Sequence, residues 1–250
     1  MKVAGSVALV TGANRGIGEG FVGVLLERGC AKVYAAARDP AQLPRFADPA
    51  RVVPLQLDVS KLDQCRAAAA QAGDVTLLVN NAGLSHFGTT LLHDEAEQDL
   101  RDELEVNLFG IFNTFKAFHE ALGRNGGGAI VNILSAVALM NVPLLSTYSV
   151  TKAAALSLTQ AIRAATAAQK TLVTAAIVGS VDTRMAEHVP KEVVKVSPAF
   201  VARTVLDGVE RNEEDIDTDP MAIDVRARIA RDPKKMERFF ARGLQLARKV

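Results

Sequence analysis

Tyr148 and Lys152 stand four residues apart in the run Tyr148-Ser149-Val150-Thr151-Lys152, and Ser135 precedes them by one expected strand end. On a helix, that spacing puts a phenol and an ammonium one turn apart on the same face. A free tyrosine titrates near ~10 and is a poor proton donor or acceptor at neutral pH. A fixed cation beside it favours the phenolate and is expected to bring its pKa toward working range. Ser135 ends the apolar run that begins at Ala129, behind the turn Gly126-Gly127-Gly128. Its hydroxyl would hold a polar oxygen of a bound molecule against Tyr148. Tyr-x-x-x-Lys by itself is also a common surface pattern, so the elements that position it carry the argument.

The chain has 250 residues, 49% hydrophobic and 23% charged, which suits one α/β domain with a large core. A formal net charge of +1 gives no reason to expect a nucleic-acid or membrane partner. No apolar run is long enough to span a bilayer. Met1 to Gly5 leads straight into a strand and does not read as a signal peptide, so a cytoplasmic location is expected. Cys30 and Cys65 are expected to be buried free thiols. His86, His93, His119 and His188 show no ligand spacing, and no metal is expected.

In chain order, Val3 to Val10 reads as a strand buried on both faces, ending in Thr11-Gly12-Ala13-Asn14-Arg15-Gly16-Ile17-Gly18. A helix with Phe21, Val24, Leu25 and Leu26 on its apolar side follows to about Gly29. Strand, glycine turn and helix make a phosphate cradle, because glycines admit the backbone close to a pyrophosphate and a helix start offers free N–H groups. Lys32 to Ala37 is the second strand, whose end reads an adenosine ribose. Ala37 holds the carboxylate position of NAD readers. Arg38 follows it and Arg15 lies in the glycine turn, which favours the 2′-phosphate of NADP. A register shift of two would instead make Asp39 an NAD reader.

A third strand spans Val52 to Val59, with Ser60 as N-cap of the next helix. A fourth spans Val75 to Val79 and runs into Asn80-Asn81-Ala82-Gly83, at the end where open α/β sheets bind ligands. A long helix is expected over about His93 to Ala121, with a stripe of Leu100, Leu104, Leu108, Ile111, Phe112, Phe115 and Phe118 that is core or subunit interface. Asn107 lies within it and needs polar partners. Thr171 to Val178 is the sixth strand, followed by Gly179-Ser180-Val181-Asp182-Thr183. Residues 184–197 lack periodicity and suit a lid. Ser197-Pro198 opens a helix to about Glu210, and residues 221–250 form a basic helical tail on a solvated face.

Taken together, the glycine turn, Asp58, Asn80 to Gly83, Asn107, Ser135, Tyr148, Lys152 and Thr183 resemble a short-chain dehydrogenase/reductase over nearly the whole chain. The resemblance implies a single-domain, Rossmann-type doubly wound parallel sheet with helices on both faces. It implies Asn107, Ser135, Tyr148 and Lys152 as a catalytic tetrad. Tyr148 would exchange the proton, Lys152 would lower its pKa and bond the nicotinamide ribose, Ser135 would hold the developing alkoxide, and Asn107 would hold a water leading from Lys152 to solvent. NADP(H) would lie on Gly12, Asn14, Arg15, Gly16, Ile17, Gly18 and Arg38. Asp58 and Val59 would touch the adenine, Asn81, Ala82 and Gly83 would line the cleft, and Gly179, Val181 and Thr183 would stand at the nicotinamide. Val178-Gly179 replaces the family's usual Pro-Gly. Asp217-Thr218-Asp219-Pro220 stands where many members end in a short strand and an Asp-Gly-Gly turn, which leaves the oligomer open between homodimer and homotetramer.

The expected substrate is an apolar ketone, aldehyde or secondary alcohol, bordered by His86, Phe87, Ala136, Met140, Val142, Leu144 and Met185. None of these is cationic, which disfavours a small carboxylate. The alternatives are an NADP(H) sensor or scaffold without catalysis, and a reductase of carrier-bound acyl chains using Arg184, Lys191 and Lys195 as a basic rim.

Overall fold

The computed structural model describes residues 1–88 and 90–247. Seven strands lie parallel in one sheet: β1 (Val7–Thr11), β2 (Lys32–Ala37), β3 (Val52–Gln56), β4 (Leu77–Asn80), β5 (Ala129–Ile133), β6 (Leu172–Ile177) and β7 (Asp215–Asp217). Their order is β3-β2-β1-β4-β5-β6-β7, a Rossmann-like single domain. The central strands are apolar throughout because helices cover both faces. Successive side chains point to opposite faces. Ala8 and Val10 therefore join the layer containing α1 (Gly16–Glu27) and α6 (Pro198–Glu210). Leu9 joins the layer containing α2 (Leu62–Gln71), α4 (Gly110–Arg124) and α5 (Ser146–Thr166). Both edges are blunted. β3 carries Pro54, which has no N–H to offer, and β7 is three residues long with an aspartate at each end.

Several boundaries differ from the sequence reading; β3 ends at Gln56 rather than Val59, and β4 spans Leu77–Asn80 rather than Val75 to Val79. Val3 to Ser6 is a turn, with Gly5 at φ +77° and the Ser6 N–H donating to Val3 O, so β1 starts at Val7. Ser60 does not cap α2; its hydroxyl is drawn to the Asp58 carboxylate at 2.7 Å. The expected long helix is three pieces. They are α3 (Ala96–Leu104), one wide π turn (Glu105–Phe109) and α4, and the break carries Asn107. Phe112, within the stripe expected as core or subunit interface, is 41% exposed. Finally, the acidic patch 213–215 leads into β7, a short strand the sequence reading denied this chain. Two helices follow, α7 (Pro220–Arg231) and α8 (Pro233–Ala247). Cys30 and Cys65 are buried free thiols, and the Ser197 cap of α6 accepts from the Phe200 N–H as expected.

A buried polar chain, not foreseen, ties four elements together. Asn80 donates to Asn132 at 2.8 Å, Asn132 donates to Thr159 at 2.9 Å, and Thr114 donates to Asn80 at 2.8 Å. Asn132 is fully buried and serves as both donor and acceptor. Asn132→Ala leaves Asn80 short of an acceptor and opens a small void, at a cost of about 2–4 kcal/mol. Thermal melting is expected to show a fall of roughly 5–10 °C; a shift within experimental scatter would mean the chain of bonds is not stabilising.

Candidate active site

The strand order reverses between β1 and β4, and a cleft of about 1790 Å³ opens there beyond the strand ends. The Thr11 hydroxyl accepts the Asn81 and Ala82 N–H groups at 2.9 and 3.0 Å, and the Asn81 amide donates to Thr11 O and Gly12 O. These bonds clamp the end of β1 to the end of β4. Gly12 and Gly16 sit at φ +64° and +57°, the left-handed region open to glycine. Gly18 lies under the turn rather than on the cleft wall. A Cβ there would stand 2.2 Å from Gly12 O, so any side chain would push the turn off the helix. Arg15 precedes α1 in extended backbone and makes no side-chain cap, so the first N–H groups of the helix stay available to an anion. Asn14, Arg15, Gly16 and Ile17 line the cleft.

Beyond the end of β2, Arg38 and Arg15 line the same cleft, and neither has a carboxylate partner among the described residues. Burial, then Arg184 and Arg38, push the Arg15 guanidinium below its usual range, the signature of cations gathered without an anion. Asp39 lies on the same wall but is engaged as a cap. It accepts the Ala41 N–H at 3.0 Å and the Gln42 amide at 2.9 Å. The Asp58 carboxylate is likewise held, by the Ser60 N–H and hydroxyl. Val59 lines the wall beside it, as do Ala82 and Gly83 across the cleft.

At the floor, Ser135 follows β5 in extended backbone while Tyr148 and Lys152 project from the first two turns of α5, and all three line the cleft. Lys152 is buried, donates to Ile133 O at 2.9 Å, and holds its ammonium 5.6 Å from the centre of the Tyr148 ring. Burial brings its pKa down to about 8, against the pull of Glu103, which raises it. The phenol does not behave as the sequence reading expected. Burial pushes the Tyr148 pKa well above the ordinary phenol range, Glu103 adds to the rise, and only a hydrogen bond with Ser135 opposes it. Desolvation of the phenol outweighs any help from the buried ammonium. Asn107 does not line the cleft. It is fully buried behind it, where Oδ1 accepts the Leu84 N–H at 2.9 Å and Nδ2 donates to Leu84 O and the Thr151 hydroxyl.

Residues 6–193 match the family model described as short chain dehydrogenase. The chain belongs to the short-chain dehydrogenase family. A short chain dehydrogenase from Burkholderia cenocepacia J2315, solved in complex with NADP, is 37% identical and superposes with a TM-score of 0.90 over 96% of this chain and 99% of that one. The 3-alpha-(or 20-beta)-hydroxysteroid dehydrogenase of Mycobacterium bovis is 31% identical across 82% of this chain and 80% of its own. Oxidoreductase UcpA of Salmonella typhimurium is 31% identical across 76% and 75%.

On the far side of the cleft, the dehydrogenase presents His86, Phe87, Ala136 and Met185, as expected from sequence. Met140, Val142 and Leu144 are not on that wall. The chain turns through a short 3₁₀ segment at Pro143–Leu145, which puts Leu145 on it instead. Gly179, Val181 and Thr183 line the opposite rim. The Gly179 N–H donates to Asp219 at 2.7 Å, and the same carboxylate caps α7 through Met221 and Ala222. Sequence reading missed Asp219, although Asp before Pro220 is a helix-start signal. It also missed Glu103, four residues before Asn107. Residues 184–197, expected as a lid, are held at their base by the Val181–Val196 bridge and by Lys195 donating to Ala186 O, and the His188 ring stacks on Phe87 with centroids 3.4 Å apart.

Proposed function

We propose that this dehydrogenase transfers hydride between NADP(H) and a mostly apolar ketone, aldehyde or secondary alcohol, with Tyr148 as general acid and base. The observation that carries the reading is that Ser135, Tyr148 and Lys152 share one cleft with the glycine turn. The residues present fit a dinucleotide. The turn rejects a Cβ at Gly18, the α1 N-terminus is uncapped, and Arg15 and Arg38 offer unpaired charge at the ribose end. Asp39, committed to its own turn, is poorly placed to read a 2′-OH, and NADP is the molecule held by the Burkholderia relative.

When bound, NADP(H) supplies or accepts the hydride. The chain's own residues do the rest. Tyr148 gives its hydroxyl proton to the carbonyl oxygen in reduction and takes it back in oxidation. Ser135 donates to the same oxygen as negative charge develops. Lys152 keeps a cation beside the phenol and reaches the ribose, while Asn107 fixes the Leu84 backbone and the Thr151 side of α5 behind them. Ala136, Val137, Leu145, Met185, Val189 and Val193 make the substrate side apolar. Phe109 of the π turn, Phe112 of α4 and Val150 of α5 stay exposed, which suits pairing with a second copy.

The test begins with binding of NADPH and NADH, read from the cofactor's own fluorescence in a chain that has no Trp. NADPH consumption is then followed against apolar ketones and aldehydes beside small 2-oxo acids. Tight NADPH binding with turnover of the apolar carbonyls is expected. Binding of neither cofactor, or turnover confined to the acids, would overturn the reading.

A further inference from the structure

We propose that Glu103 is a positioning residue whose buried carboxylate holds the protons on Tyr148 and Lys152, biasing the site toward carbonyl reduction. The inference rests on Tyr148 being the acid–base group and adds a preferred direction to it.

Glu103 lies in the last turn of α3 and is fully buried, an environment that disfavours a carboxylate unless something compensates. Its Oε1 accepts the His86 N–H at 2.7 Å. Its Oε2 makes no hydrogen bond among the described residues, and neither do two other buried atoms of this corner, Thr147 Oγ1 and His86 Nε2. The placement follows from helix geometry. Glu103 and Asn107 are four residues apart and share a face, as do Thr147 and Thr151 on α5. Asn107 bonds Thr151 at 2.9 Å, and one turn earlier Glu103 stands near Thr147 without a hydrogen bond between them. Tyr148 and Lys152 are the residues immediately after those two threonines. The carboxylate is thus built into the wall from which both reacting groups project.

The charges facing Glu103 are His86 from the loop after β4, Asp99 from its own helix, and Tyr148 and Lys152 from α5. Burial raises its own pKa, with the His86 N–H and the Thr147 hydroxyl opposing. Once ionised, it raises Tyr148 and raises Lys152. A negative charge here therefore favours the neutral phenol and the charged ammonium, the state that donates a proton to a carbonyl. Removing it favours the phenolate, the state that takes a proton from an alcohol.

The chain contains two tyrosines and no Trp, so Tyr34→Phe leaves Tyr148 as the sole tyrosine and tyrosinate absorbance reads it alone. In that background, the NADP⁺ complex, whose positively charged nicotinamide favours the phenolate, is titrated from about pH 8 to about pH 12, the range around and above a phenol's ordinary pKa. Glu103→Gln keeps the shape and removes the charge. Its absorbance rise is expected at a pH lower by roughly one unit or more. Glu103→Met, which removes charge and hydrogen bond together, is expected to shift the curve the same way and serves if the Gln variant fails to fold. Thr147→Ser disturbs the packing and keeps the hydroxyl beside Glu103, and its curve is expected to stay on the parent's. Variant curves that coincide with the parent over the whole range, or an equal shift in Thr147→Ser, would overturn the proposal. Turnover by Tyr148→Phe is measured separately, so failure of the acid–base reading is distinguishable from failure of this one.

Discussion

Tyr148→Phe is expected to lower turnover by roughly 10³–10⁴-fold, the upper part of the range for a positioned acid–base group. The variant keeps the ring and its packing and loses only the hydroxyl, so the fold is expected to stay intact. NADPH affinity is expected to stay within about fivefold, since at most one hydrogen bond to the cofactor is lost. The contrast matters because the structure shows the phenol strongly desolvated, with its pKa pushed up. A tyrosine with a raised pKa is a weaker acid that stays protonated at neutral pH, so its proton-accepting phenolate form is scarce there. The donating form is therefore the populated one, and reduction is expected to tolerate neutral pH better than oxidation. Single-turnover rates with NADPH, beside fluorescence titration of the same variant, check this. Turnover near the parent's would remove Tyr148 from the chemistry.

Arg38→Ala is expected to weaken NADPH by roughly 10–100-fold, the loss of about 1.5–3 kcal/mol for a hydrogen bond to a charged group. NADH is expected to change by no more than about threefold, because it lacks the phosphate that this guanidinium would meet. Arg38 and Arg15 stand on one wall with no carboxylate partner among the described residues, and Arg184 comes close enough to depress Arg15 further. Three cations held together repel one another, and a phosphate dianion relieves that repulsion. Salt is expected to weaken NADPH more than NADH for the same reason. Equal losses of both cofactors in Arg38→Ala would assign the reading of the ribose elsewhere on the wall.

Most of the scaffold was legible because its signals are local. A double-sided apolar run such as Ala129 to Ile133 can only be a covered strand, and a Ser-Pro pair at 197–198 can only start a helix cheaply. The glycine turn was legible for the same reason, since the spacing itself encodes a backbone shape. The π turn at Glu105–Phe109 was not. Periodicity continued across it, and the wide turn is set by how α3 and α4 pack on α5. β7 was missed because three residues with two aspartates carry no strand signal; pairing with β6 makes the strand.

At the site the division is similar. The sequence alone determined which residues could take part: a phenol and an ammonium one turn apart, a serine at a strand end, a glycine cradle and two unpaired arginines. Tertiary structure decided their state. Charge and proton affinity depend on distance and on exclusion of water, and neither is written in spacing. Packing left Tyr148 half-buried at the cleft, where desolvation raises its pKa. Packing also buried Glu103, unremarkable in sequence, and engaged the Asp39 carboxylate in its own cap.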